Sequence, residues 1–402
     1  MSVLSSRVQK VKPSPTLAVT AKAKELKDQG RDVVGLGSGE PDFDTPDHIK
    51  EAAIEAIRKG FTKYTPVAGI PELRKAIIGK FKRDNGLEFR PNQIVVTVGG
   101  KQAFYNLAQA MLNPGDQVII PAPYWVSYPD MVLLADGEPV IVDTTEANGF
   151  KMRPADLEAA ITPRTRLVVI NSPSNPTGAA YTRDELAALG EVLLRHPHVW
   201  VVSDDIYEKI VFGDFVFSTI AQVVPGLQDR TITMNGVSKT YSMTGWRIGY
   251  AAGPAEVIQA METIQSQSTS NATSISQKAA LVAIEGDQNC LRPMVDAFRQ
   301  RRDFVVQRFN AIPGMHCRTP EGSFYAYPCF SGLVGRRTDK GKIITDSNVL
   351  SEYLLEGFDV AVVAGASFGK DPYFRISYAT SMANLEKAMT RIHTAAERLM
   401  GG

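Results

Sequence analysis

The sequence predicts an α/β fold: a large domain with a mostly parallel sheet flanked by helices, and a smaller α+β domain beside it. Three observations carry that expectation. Short continuous apolar runs recur through the middle of the chain, as in strands buried on both faces. Helix-like stretches alternate with them. The composition, 44% hydrophobic and 22% charged over 402 residues, is that of a globular chain long enough for two or three domains.

In chain order, residues 1–45 read as an irregular arm, with Pro13, Pro15, Pro41 and the cluster Gly35, Gly37, Gly39. Strands are expected at Ile94–Val98, Gln117–Ile120, Val140–Asp143, Leu167–Ile170, Trp200–Ser203, Thr231–Met234 and Ile248–Ala252. Between them, helices are expected at Lys101–Leu112, Tyr128–Leu134, Pro154–Ala160 and Arg183–Arg195. The last has Thr182 as N-cap and Glu185 three residues on, a capping-box pattern. One long helical stretch is expected over 255–310, then short strands and helices after Pro313. The division follows: 46–290 as the large domain, and 291–402 with the 1–45 arm as the small one. Gly332–Asp346, rich in basic and small residues, reads as a surface insertion.

Several function classes lose support early. The net charge is +1, so no field points to nucleic acid or an anionic membrane. No run approaches the roughly 18 apolar residues of a membrane span. Met1–Val11 has no apolar signal-peptide core. Three cysteines without C-x-x-C spacing fit neither a disulfide framework nor a zinc site, which leads to the expectation of a reduced, cytoplasmic protein. The five histidines lack metal-ligand spacing, so no metal is expected.

Chemistry collects where the strands end. Gly99-Gly100-Lys101, Tyr124-Trp125, Asn171 to Gly178, Asp204-Asp205-Ile206-Tyr207 and Ser238-Lys239 each follow a predicted strand. Open α/β sheets bind ligands beyond the carboxyl ends of their strands. The two glycines before a helix suit a phosphate, although no Walker or dinucleotide motif is present. Lys239 sits in an aromatic, glycine-rich stretch with Arg247 eight positions on. Desolvation and that arginine would both lower its pKa, as a Schiff-base lysine requires.

The stretch Gly236-Val237-Ser238-Lys239, with Ser242-Met243, Gly245 and Arg247-Ile248-Gly249, resembles the lysine-attachment signature of class I pyridoxal-phosphate aminotransferases. The resemblance extends through Gly39-Glu40-Pro41-Asp42-Phe43, Tyr64-Thr65-Pro66, Asn175-Pro176-Thr177-Gly178, Asp204-x-x-Tyr207 and Phe374-Arg375-Ile376-Ser377. As a whole the chain is similar to the bacterial aspartate aminotransferases of the aspartate/prephenate branch, which have the fold-type I architecture.

The resemblance implies a role for each residue. Lys239 would carry pyridoxal 5′-phosphate and then act as general base and acid. Asp204 would pair with the ring nitrogen, and Tyr207 and Asn175 would reach its phenolic oxygen. Trp125 would stack on the ring. Gly100, Lys101 and Arg247 would hold the phosphate, with Tyr64 added from the second subunit of a homodimer. Arg375 would clamp the substrate α-carboxylate, beside Asn175, Trp125 and Gly39. Asp205 would point away and serve structure; Trp200 and Trp246 would pack in the core. Gly236 departs from relatives that place a hydroxyl there. No arginine lies in Gln265–Asn271, so Lys101 or Lys12 would read a distal carboxylate. The implied substrates are amino acids and 2-oxo acids. The implied reaction is aspartate to 2-oxoglutarate amino transfer by a ping-pong route, with prephenate or aromatic specificity as the alternative on the same scaffold.

Overall fold

The computed structural model describes residues 3–401. Seven strands form its main sheet: β1 (Ile94–Thr97), β2 (Gln117–Ala122), β3 (Glu138–Asp143), β4 (Thr165–Asn171), β5 (Trp200–Asp204), β6 (Thr231–Gly236) and β7 (Gly249–Ala252). Their order across the sheet is β1-β7-β6-β5-β4-β2-β3. All pair in parallel except β7, which runs antiparallel to both β1 and β6.

The apolar runs explain the layering. Every residue of β1, β6 and β7 is buried, so these strands need apolar or small side chains on both faces. One face is covered by helix Gly99–Met111, whose Ala103, Phe104, Leu107 and Ala108 pack on Val118, Ile120, Val169 and Val202. The other is covered by Arg183–Arg195 through Leu186, Leu189, Val192 and Leu193. Each such fully buried Leu or Phe contributes roughly 2 kcal/mol of transfer free energy. β3 lies at the edge, where no residue is fully buried and Glu138, Ile141 and Asp143 are exposed. The Thr182 capping box forms, with Thr182 Oγ1 accepting from the Glu185 backbone at 3.2 Å.

A second core joins Phe298, Val305 and Phe309 of helix Arg292–Asn310 to Phe324, Phe374, Ile376, Leu385, Met389 and Ile392. It carries a three-stranded antiparallel sheet of Val363–Ala364, Phe374–Ser377 and Tyr325–Ala326. Val34–Gly35 pairs in parallel with Val360–Ala361, so residues near the N-terminus also enter this core.

Three expectations require correction. Residues 1–45 are not merely irregular: helices occupy Ser6–Gln9 and Pro15–Asp28. Pro15 sits in the first turn, where its missing N–H costs nothing. The 255–310 stretch is three helices, Ala255–Ser266, Ser274–Glu285 and Arg292–Asn310. The first break lies in the Ser-, Thr- and Asn-rich segment 267–273, whose side chains bond backbone and compete with helix. The segment 332–346 is largely exposed and folds back on itself through an Arg337–Ile343 bridge. Trp200 and Trp246 are only partly buried, at the edges of their clusters.

Candidate active site

The carboxyl ends of β4, β5 and β6 open into a cleft of about 360 Å³. Gly39, Gly100, Lys101, Trp125, Asn175, Asp204, Tyr207, Lys239, Arg247 and Arg375 all line it. Asn171 and Ser238, read from the sequence as strand-end residues without a role, line it too; sequence reasoning missed Tyr128, Tyr325 and, from the N-terminal segment, Ser14, Thr16 and Leu17.

Asp204, the last residue of β5, is buried at the floor. Its Oδ2 accepts from the Tyr128 hydroxyl at 2.5 Å, and its Oδ1 from the Ile206 backbone at 3.3 Å. Desolvation raises its pKa; the Tyr128 bond, the Ile206 bond and the charge of Lys239 oppose that rise. Asp205 turns away, as expected, and accepts from Ser203 Oγ at 2.7 Å. Burial pushes its carboxyl up to about 7.

Lys239 follows β6, with its ammonium donating to the Gly39 carbonyl. Desolvation first, and then the charge of Arg247, lower its pKa from 10.5 to about 8. The Gly39 position leaves no slack, since a Cβ there would stand 3.0 Å from the Tyr325 hydroxyl. That hydroxyl bonds the Tyr207 hydroxyl at 2.9 Å.

Gly236 has a packing explanation. A Cβ at that position would lie 3.0 Å from the Ile248 carbonyl and 3.1 Å from both Gly249 Cα and Ile206 Cδ1. At Gly249 a Cβ would fall 2.4 Å from the Gly100 nitrogen. The β7 end therefore presses directly on the N-terminus of helix Gly99–Met111, beside Arg247. Arg247 adopts a left-handed backbone (φ 55°) and donates to the Thr244 carbonyl at 2.9 Å.

Arg375 is 2% exposed. It donates to Asn175 Oδ1 at 2.9 Å and to the Gly37 carbonyl at 2.6 Å. Asn175 is held in turn by its backbone N–H on Asn171 Oδ1 at 3.0 Å. The guanidinium lies over the Tyr325 ring at 4.5 Å, its Nε has no partner, and no carboxylate pairs with it among the described residues.

Lys101 stands at the cleft mouth, its ammonium 5.2 Å from the Trp125 ring centre. Desolvation and Arg247 lower its pKa. Lys12 is exposed and does not line the cleft; its backbone and charge face Asp130 and oppose the rise that burial gives that carboxyl's pKa. Tyr64 is 90% exposed and lies apart from the cleft, in a shallow depression beside Thr269, Ser270 and Asn271. Away from the cleft, Glu146, His316 and Cys329 place ligand atoms within 4.8 Å of one another, and Glu146 already bonds His316 at 2.8 Å. Their distance along the chain left no spacing to read. Among the described residues, no helix is long and apolar enough to cross a membrane.

Known proteins resemble this chain end to end. The family model described as aminotransferase class I and II matches residues 31–392. An aspartate/prephenate aminotransferase of Cereibacter sphaeroides is 61% identical over 98% of this chain and 98% of its own length. The solved aspartate aminotransferase of Rhizobium meliloti superposes with a TM-score of 0.96 at 52% identity, covering 99% of this chain and 100% of that one. That of Thermus thermophilus with maleate gives 0.91 at 47% identity, covering 98% and 100%. With a family model spanning most of its residues and relatives matching end to end, the chain belongs to the aminotransferase class I and II family.

Proposed function

We propose that the protein uses pyridoxal 5′-phosphate to move the amino group of L-aspartate to 2-oxoglutarate, with prephenate as a further acceptor. The observation that carries this is Arg375: a buried cation without a carboxylate partner among the described residues, its unpartnered Nε buried with it. A buried unpaired charge is costly, and a substrate carboxylate would offset that cost. The names of the relatives and the dicarboxylate maleate in one of their structures support an acidic substrate.

The residues fit the cofactor. A buried carboxylate with its own donor (Asp204 with Tyr128), an amine of lowered pKa (Lys239), and an arginine beside a helix N-terminus (Arg247 with Gly99–Gly100) form its donor set. Asp204 would hold the ring nitrogen. Tyr207 and Asn175 would hold the phenolic oxygen, Trp125 the ring face, and Gly100, Lys101 and Arg247 the phosphate. Bound there, the cofactor supplies an electron sink for the pair left when the substrate Cα–H bond breaks.

The protein's own contribution is placement and proton transfer. Arg375 makes parallel bonds to the α-carboxylate, and Asn175 orients both. Lys239 near neutral pH has a useful fraction of free amine to take the Cα proton and deliver it to the cofactor's C4′. Lys101, at the mouth, meets the distal carboxylate; Lys12 belongs to the arm beside it. Tyr64, turned away from its own cleft, would complete the cleft of a second copy in a homodimer. The large domain at 46–290 would hold the cofactor, and the small one, 291–402 with 1–45, would bring Arg375 and Gly39. The cysteines, none of them disulfide-bonded, support a reduced, cytoplasmic setting.

The test is an absorbance spectrum before and after adding L-aspartate alone. A yellow band that bleaches while oxaloacetate appears supports the whole reading. A band unmoved by aspartate and bleached by phenylalanine would transfer the assignment to aromatic substrates. No band after adding pyridoxal phosphate would overturn it.

A further inference from the structure

Behind the cleft lies an ion network that the proposed reaction does not use. Lys80, Asn85 and Glu208 are 3%, 1% and 5% exposed. Lys80 and Asn85 stand on the last turns of helix Pro71–Asn85. The Lys80 ammonium pairs with Glu208 Oε1 and donates to Asn85 Oδ1 at 2.8 Å. Asn85 Nδ2 donates to the other oxygen, Glu208 Oε2, at 3.1 Å. The next residue, Lys209, pairs with Asp84 of the same helix end at 3.0 Å, and Asp84 also faces Lys80 at 3.9 Å. Two consecutive residues are thus tied to one helix terminus, and both Glu208 oxygens are satisfied.

Glu208 and Lys209 belong to the tight turn that follows β5. Glu208 N–H donates to the Asp205 carbonyl at 2.9 Å, and Ile210 N–H to the Tyr207 carbonyl at 2.8 Å. Tyr207 precedes Glu208 directly and points the other way, into the cleft. Anchoring Glu208 on the helix constrains the backbone that carries Tyr207, whose hydroxyl also bonds the Tyr325 hydroxyl at 2.9 Å. A buried ion pair of this kind is poor evidence for stability, because desolvation offsets most of the attraction; its use lies in specifying geometry.

We infer that Glu208, held by Lys80 and Asn85, is a positioning residue for Tyr207. The inference rests on the proposed role of Tyr207 at the cofactor's phenolic oxygen. It predicts that loosening the clamp changes the electronic state of the bound cofactor without unfolding the protein.

The experiment titrates the visible band of the cofactor-loaded protein against pH. Four proteins are compared: the unaltered protein, Tyr207→Phe, the paired substitution Lys80→Met with Glu208→Leu, and Glu208→Gln. The paired change removes both charges at similar volume, so no lone ion stays buried. The expected result is a midpoint displaced in the same direction as in Tyr207→Phe, approaching the roughly one pH unit that losing a single hydrogen bond gives. If the paired variant does not fold, Glu208→Gln reads the same point with a smaller displacement. A Tyr207→Phe displacement with unaltered titration in the clamp variants, whatever their melting temperature, would overturn the inference and leave the role of Tyr207 standing. An unaltered titration in Tyr207→Phe would overturn both.

Discussion

Arg375 Nη1 donates to Oδ1 of Asn175 at 2.9 Å, joining residues 200 positions apart in the chain. This bond orients one edge of the guanidinium, and the Gly37 carbonyl takes a second donor at 2.6 Å. A lysine at 375 would keep the charge and lose the planar fork. Arg375→Lys is expected to lower kcat/KM for aspartate by about 100-fold, while the cofactor band stays in place. Steady-state kinetics with a parallel spectrum checks both halves.

Lys239 has its amine drawn down to about 8 by burial. Transamination by Lys239→Ala should fall at least about 100-fold, read as oxaloacetate formed per minute. The same shift has a sign for stability. The unfolded amine keeps its proton up to about 10.5, so between pH 8 and 10.5 the unfolded state binds more protons and stability rises with pH. Below pH 8 the buried ammonium carries its full cost. Cofactor-free Lys239→Met should therefore gain about 2–3 kcal/mol at pH 7, and the gain should shrink between pH 8 and 10.5. Melting temperatures across that range measure it.

Tyr128 gives Asp204 its 2.5 Å hydrogen bond, the strongest influence holding that carboxyl down against desolvation. Tyr128→Phe removes the donor and keeps the ring. The Asp204 pKa should then climb further, moving the acid limb of the kcat/KM profile to higher pH by about one unit. An unmoved acid limb would show that Asp204 does not govern it.

Lys101 lines the cleft beside Trp125 and is exposed to solvent. Lys101→Ser should lose about 10-fold or more in kcat/KM for aspartate and little for phenylalanine, because only aspartate brings a second carboxylate. Equal losses for both would assign Lys101 to the cofactor phosphate instead.

Much of this was legible in the sequence, for identifiable reasons. The interior strands could be read because they are short, apolar and buried on both faces; Val201 and Val202 cannot be confused with a surface segment. The cleft residues could be read because the ligand site of such a sheet sits where strands stop. Helix Pro15–Asp28 escaped because only Ala23 and Leu26 of its fourteen residues are buried, leaving no apolar stripe. Tyr128 and Tyr325 escaped for a different reason. Their neighbours in sequence say nothing, and their hydroxyls acquire roles only through Asp204 and Tyr207, far away in the chain.

The Arg375–Asn175 bond has a consequence for biogenesis. Asp204 and Lys239 emerge from the ribosome well before Arg375, and the two halves of the carboxylate clamp, Asn175 and Arg375, are made 200 residues apart. Capture of a substrate α-carboxylate by this pair therefore waits until synthesis has passed Arg375.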